Sequence, residues 1–150
     1  MTERLRGDNV LLQVFRTGQG VRDLMLRAVG GTGVSPDEYA VLSVIAVLRA
    51  VSPTELAIRL RIPPTSISRY IAHLVDAGLA VRAPNPSDSR SYLLELTPEG
   101  RALVRRVAPR IRRMVQALRA HEDIDDIEAA LVKLERAVRS ITLDDTSIRQ

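Results

Sequence analysis

Two short stretches hold the polar side chains best placed to act on a partner. The first carries Pro64, Thr65, Ser66, Ser68, Arg69 and His73, and the second Arg82, Ser87, Asp88 and Arg90. Hydroxyls and guanidinium groups bond phosphate oxygens and base edges, and the arginine fork matches a phosphate or the O6 and N7 of guanine. Catalysis asks for a nucleophile, a base and an orienting group that converge. No Gly-rich phosphate loop after a strand, no GxSxG turn and no metal-binding pair is present. The two histidines, His73 and His121, stand far apart, and there is no cysteine. Disulfides, thiolate zinc sites and thiol-based redox sensing are therefore excluded. The residues describe a binder with no cofactor and no metal, and not an enzyme.

Charge supports that reading through its distribution. Residues 52–113 carry a net +6 and residues 114–150 a net −3. All but one of the 22 basic residues are arginine. A basic middle section is the electrostatic footprint of a nucleic-acid partner. Aromatics make up 3% of a chain that is 45% hydrophobic, so the core must be aliphatic. No apolar run approaches the roughly 20 residues that span a bilayer. The polar start, MTERLRGDNV, lacks the apolar stretch of a secretory signal. The expectation is a cytoplasmic protein without membrane contact.

The elements that position the two stretches carry their own signals. Ser35-Pro36-Asp37-Glu38 and Ser52-Pro53-Thr54-Glu55 are capping boxes with proline at the first helical position. They predict helices over 36–48 and 53–60. Pro64 opens a third, with Ile67, Ile71 and Leu74 inward and Gly78 closing it. Thr65, Ser66, Ser68, Arg69 and His73 then lie on its outer side. Strands are predicted over 79–83 and 91–96, joined by the loop Pro84–Ser89, and Thr97-Pro98-Glu99 starts a further helix. Leu103, Val107, Ile111, Met114 and Leu118 continue that helix, with Pro109 expected to kink it. Ile124, Ile127, Leu131, Leu134, Val138 and Ile141 recur at heptad spacing. Leu11 and Val14 begin an N-terminal stripe that Gly18 and Gly20 interrupt, and a kink, a break or a close helix crossing is expected there.

Two short helices, a tight turn and a strand-loop-strand form a winged helix-turn-helix. The expected architecture is mainly α with a small β wing. Residues 1–33 form an N-terminal dimerisation helix and linker, 34–97 the DNA-binding lobe, and 98–150 the C-terminal dimerisation helices. The second short helix would enter the major groove. The seam at Ile124, Ile127, Leu131, Leu134, Val138 and Ile141, with Leu11 and Val14, would join two subunits. The alternative is a winged helix that contacts another protein and not DNA.

The run from Pro53 to Gly100 resembles the multiple-antibiotic-resistance regulator (MarR) family of bacterial transcription factors. The matching pieces are Glu55-Leu56-Ala57, Ser66-Ile67-Ser68-Arg69, Gly78-Leu79 with Arg82, and Asp88-Ser89-Arg90 followed by Leu96-Thr97 and Gly100. The detailed match covers about residues 35–100. The chain departs from the family pattern at Pro63-Pro64, where a Ser-like cap is usual, and at Ser91 after the wing arginine. The resemblance implies a homodimeric repressor on a near-palindromic double-stranded site, released by a small, often aromatic, ligand. It implies that Arg90 enters the minor groove and that Asp88 holds it through an ion pair. Phe15, Arg16, Met25, Tyr39 and Met114 are candidates for a ligand pocket.

Overall fold

The computed structural model describes residues 10–148, with side chains described through residue 141. Six helices and three strands follow in order: α1 (Val10–Val29), α2 (Pro36–Leu48), β1 (Ala50–Val51), α3 (Pro53–Leu60), α4 (Pro64–Asp76), β2 (Ala80–Pro84), β3 (Tyr92–Leu96), α5 (Pro98–Arg119) and α6 (Ile124–Ile148). The chain divides into two compact units, Met1–Ile111 and Arg112–Gln150.

The helix starts obey the capping chemistry, with one difference. At α2 the box is complete: Glu38 N–H donates to Ser35 Oγ (3.2 Å), and Ser35 N–H donates to Glu38 Oε2 (2.7 Å). At α3 only half of it forms. Glu55 N–H donates to Ser52 Oγ at 3.2 Å, but the Glu55 carboxylate turns to the Arg59 guanidinium at 2.7 Å. An arginine one turn along competes for the carboxylate and wins.

α4 ends in a Schellman turn. Leu79 N–H donates to Leu74 O and Gly78 N–H to Val75 O, both at 2.9 Å, with Gly78 at φ 69°. The chain then enters an antiparallel sheet of order β1-β3-β2. Ala80 pairs with Leu96 and Pro84 with Tyr92. β1 was not foreseen. It is two residues long, with Ala50 opposite Glu95 and Val51 opposite Leu94. A pair of residues has no period, and only the partner strand makes it a strand.

The core of the first unit is aliphatic, as the composition requires. Leu42, Ile45, Val51, Leu56, Ile67, Ile71, Leu74, Leu94 and Val107 are fully buried. Each such side chain contributes about 1.5–3 kcal/mol through burial. α2 runs through the middle, burying Tyr39, Val41, Leu42 and Ile45.

α1 corrects an expectation. It continues unbroken through Gly18 and Gly20, and an added Cβ at either would meet nothing within 4 Å. No close crossing among the described residues requires them. Glycine lowers helix stability by about 1 kcal/mol but does not forbid the conformation. α5 passes through Pro109, and Arg110 beside it donates to the Ala28 and Gly30 carbonyls, both at 3.0 Å, tying off the end of α1. Among the described residues, no helix is long and apolar enough to cross a membrane, and no group of His, Asp and Glu could hold a metal ion.

Candidate nucleic-acid interface

α4 separates its residues cleanly. Ile67, Ile71 and Leu74 lie at 0–1% exposure, packed inward. Thr65, Ser68 and Arg69 are exposed on the other side, with Pro64 at the first turn and Ser66 half-buried. Pro63 supplies no side-chain cap. Its carbonyl accepts from Ser66 N–H (2.9 Å) and Ile67 N–H (3.0 Å), so the helix starts on backbone bonds alone. The Ser68 hydroxyl donates to Pro64 O at 2.9 Å, which leaves its lone pairs outward as acceptors. Arg69 lies over the Tyr70 ring, 5.3 Å from its centroid, an arrangement that steadies the guanidinium without neutralising it.

Two acids in the first turn of α2 hold α4 in place. Glu38, only 8% exposed, offers Oε1 to His73 Nδ1 at 2.6 Å. Asp37 Oδ2 accepts from the Tyr70 hydroxyl at 3.4 Å and lies 3.3 Å from Arg22 of α1. His73 thus sits at the edge of the exposed face, with one ring nitrogen committed to the lobe. Asp37, Glu38 and Tyr70 were missed as positioning residues. The capping box gave Glu38 a local duty, and nothing local in the sequence shows its second partner 35 positions away.

The wing is knitted from side-chain to backbone bonds. Asn85 Oδ1 accepts from Ser87 N–H (3.0 Å), and Asn85 Nδ2 donates to Ser91 Oγ (2.7 Å). Asp88 Oδ1 accepts from the backbone N–H of Arg90 at 3.0 Å, not from its guanidinium. The expected Asp88–Arg90 ion pair is therefore replaced by a turn. A carboxylate two residues ahead reaches the amide more easily than the distant head group. Arg90 and Ser87 stand exposed at the tip. Arg82, on β2, stacks on Tyr92 of β3, 5.0 Å from the ring centroid. Asn85, Ser91 and Tyr92 were missed, although Asn and Asp two residues before a polar amide are a readable turn signal.

The base of the wing explains the Leu-Thr and Gly of the motif. Thr97 Oγ1 donates to Gly78 O (2.7 Å) and accepts from Gly100 N–H (3.0 Å), and Thr97 N–H donates to Leu79 O (3.1 Å). A Cβ on Gly100 would lie 2.0 Å from Leu79 O, so only glycine permits this approach.

The other candidates fall on α1, α2, α5 and α6. Leu11 and Val14 are exposed on α1. On α6, Ile127, Leu131, Val138 and Ile141 are exposed and Ile124 and Leu134 half-exposed. Phe15 and Arg16 are exposed, Met25 and Met114 intermediate, and Tyr39 buried.

Residues 32–91 match the model of the MarR family. An HTH-type transcriptional regulator of Mycobacterium bovis is 40% identical over 72 residues, 48% of this chain and 50% of that protein. The chain thus spans about half the length of such curated relatives. Among solved structures, the MosR transcriptional regulator of Mycobacterium tuberculosis, in complex with DNA, superposes with a TM-score of 0.78 at 21% identity, covering 89% of this chain and 98% of that one. The PcaV transcriptional regulator of Streptomyces coelicolor, with its natural ligand, gives 0.72 at 26% identity over 88% of this chain and 93% of that one. The winged helix-turn-helix is therefore the fold that this chain shares with these regulators, and over residues 32–91 it resembles the MarR family.

Proposed function

We propose that the chain is a sequence-specific, DNA-binding transcriptional regulator that works as a homodimer in the cytoplasm. The observation that carries this is the division of α4: an aliphatic stripe wholly buried in the lobe, and Thr65, Ser68 and Arg69 exposed opposite it. A helix so divided, started by backbone bonds and followed by an arginine-tipped hairpin, has the form that lays its N-terminal half in a major groove. Arg90 at the wing tip suits the enhanced negative potential of an adjacent narrow minor groove. Regulator names among the relatives, and a structural neighbour solved with DNA, support the reading.

Residues 34–97 then form the DNA lobe, and the helices on either side the dimerisation region. The exposed apolar faces of α1 and α6 support that assignment, because Leu11, Leu131 and Ile141 at 56–68% exposure suit burial against a second copy. A two-fold pair would read half-sites about one helical turn, roughly 10 base pairs, apart. Repression relieved by a small molecule completes the proposal, supported by the neighbour solved with its natural ligand. Such a protein carries no catalytic group.

The test is an electrophoretic shift on DNA selected from a random pool, repeated across salt. Affinity should fall steeply, by about 10³ or more between 50 and 200 mM for six or more phosphate contacts. Failure to shift any duplex at low salt refutes DNA binding.

A further inference from the structure

At the opposite end of β3 from the wing tip lies a cleft of about 500 Å³. Ile45 at the end of α2, Leu96 at the end of β3 and Val104 of α5 give it an apolar floor. Arg49, Arg101 and Arg105 stand around the floor. We propose that this cleft binds a small organic dianion, with two carboxylates or one phosphate on a compact apolar body.

Four observations carry the assignment. The volume is that of small-molecule sites, which pair an apolar floor with a few fixed polar groups. The charge is one-sided: Glu95 is the only acid in the lining, so three guanidiniums against one carboxylate leave a net +2. Two of the three arginines are unspent. Among the described residues, the Arg49 and Arg105 guanidiniums have no hydrogen bond or ion pair, whereas Arg101 is fixed by donating to Leu96 O at 2.5 Å. Two unspent forks can each take a pair of anionic oxygens.

The fourth observation is backbone strain. Arg49 sits at φ 69°, ψ −47°, where glycine would be at ease and a side-chain-bearing residue is not. Its N–H, donating to Ile45 O at 2.8 Å, holds the conformation. Strained non-glycine residues gather at ligand sites, where the gain is the placement of a side chain. Here the side chain placed is a guanidinium on the rim of the cleft.

The cleft is separate from the DNA-facing residues, none of which lines it. It is also separate from Phe15, Arg16, Met25, Tyr39 and Met114. Its walls are the segments where the wing joins α5, so an occupant would bear on the setting of the wing without touching the groove face.

The experiment is calorimetric titration of the full chain with phthalate and with phenyl phosphate, benzoate serving as the single-charge control at matched ionic strength. At least one dianion should bind at one site per chain, about tenfold or more tighter than benzoate. Binding of phthalate alone marks a dicarboxylate site, and of phenyl phosphate alone a phosphate-ester site; either supports the proposal. Arg49→Gly should fold normally, because glycine accepts this φ, and should weaken the dianion about tenfold. Arg105→Ala should do the same. Arg90→Ala, at the wing tip, should bind the dianion as the parent does. Three results overturn the proposal: no dianion binding, unchanged binding in Arg49→Gly and Arg105→Ala, or loss in Arg90→Ala, which would place the anion on the DNA face. The titration needs no DNA, so its failure leaves the proposed function standing.

Discussion

α4 and α6 are written with the same apolar grammar and end in different states. In α4, Ile67, Ile71 and Leu74 are spaced four then three and are at most 1% exposed. In α6, six aliphatic residues follow the same alternation, yet Ile127 is 42% exposed, Leu131 56% and Ile141 68%. The pattern states that a face is to be buried; it does not state against what. α4 finds its cover in α2, α3 and the sheet. α6 exposes a stripe long enough for a coiled-coil seam, which the proposed dimer would cover. The apolar stripe of α4 is thus buried within one chain, and that of α6 is not.

The strongest test of that contrast is Leu131→Asp. A carboxylate in a buried seam costs more than about 3 kcal/mol, so the variant should sediment as a monomer or fail to fold. A normal dimer would leave α6 outside the interface. Next comes Gly100→Ala, which tests the packing of the lobe. Its methyl would collide with the Leu79 carbonyl, and the loss should approach about 3 kcal/mol in chemical denaturation. Unchanged stability would mean the wing base is looser than described. Arg90→Ala should cost about 1–3 kcal/mol of DNA affinity and flatten the salt dependence by about one unit, with thermal stability unchanged. Equal affinity would remove the wing from the contact. The smallest effect separates the two caps within the lobe. Ser35→Ala should cost about 1 kcal/mol and Ser52→Ala about half that, because Glu38 is buried where Glu55 is more open and water can replace the lost acceptor. Equal losses would deny the difference between a complete and a half-formed box.

Local chemistry was legible in the sequence. Ser35 and Ser52 announced two helix starts to the residue, Gly78 announced the Schellman turn, and the aliphatic spacing of α4 named its three core residues. What escaped was settled between distant segments. β1 exists because Ala50 and Val51 meet β3. Glu38 reaches His73, and Asp37 reaches Tyr70 and Arg22, through packing that no short window contains. The Asp88 carboxylate was assigned to the Arg90 side chain on resemblance, while the turn offered it a nearer amide. The cleft around Arg49 could not be seen either, since its lining comes from four elements and its marker is a backbone angle.

The Thr97 hydroxyl has a mechanical consequence. It donates to the carbonyl just past the end of α4 and accepts from the first turn of α5, so one oxygen serves as a hinge pin between two helices. A roll of α5 about its own axis must drag that pin. The displacement would enter α4 at its C-terminal end, and the exposed turn at Thr65 would swing as the far end of a lever.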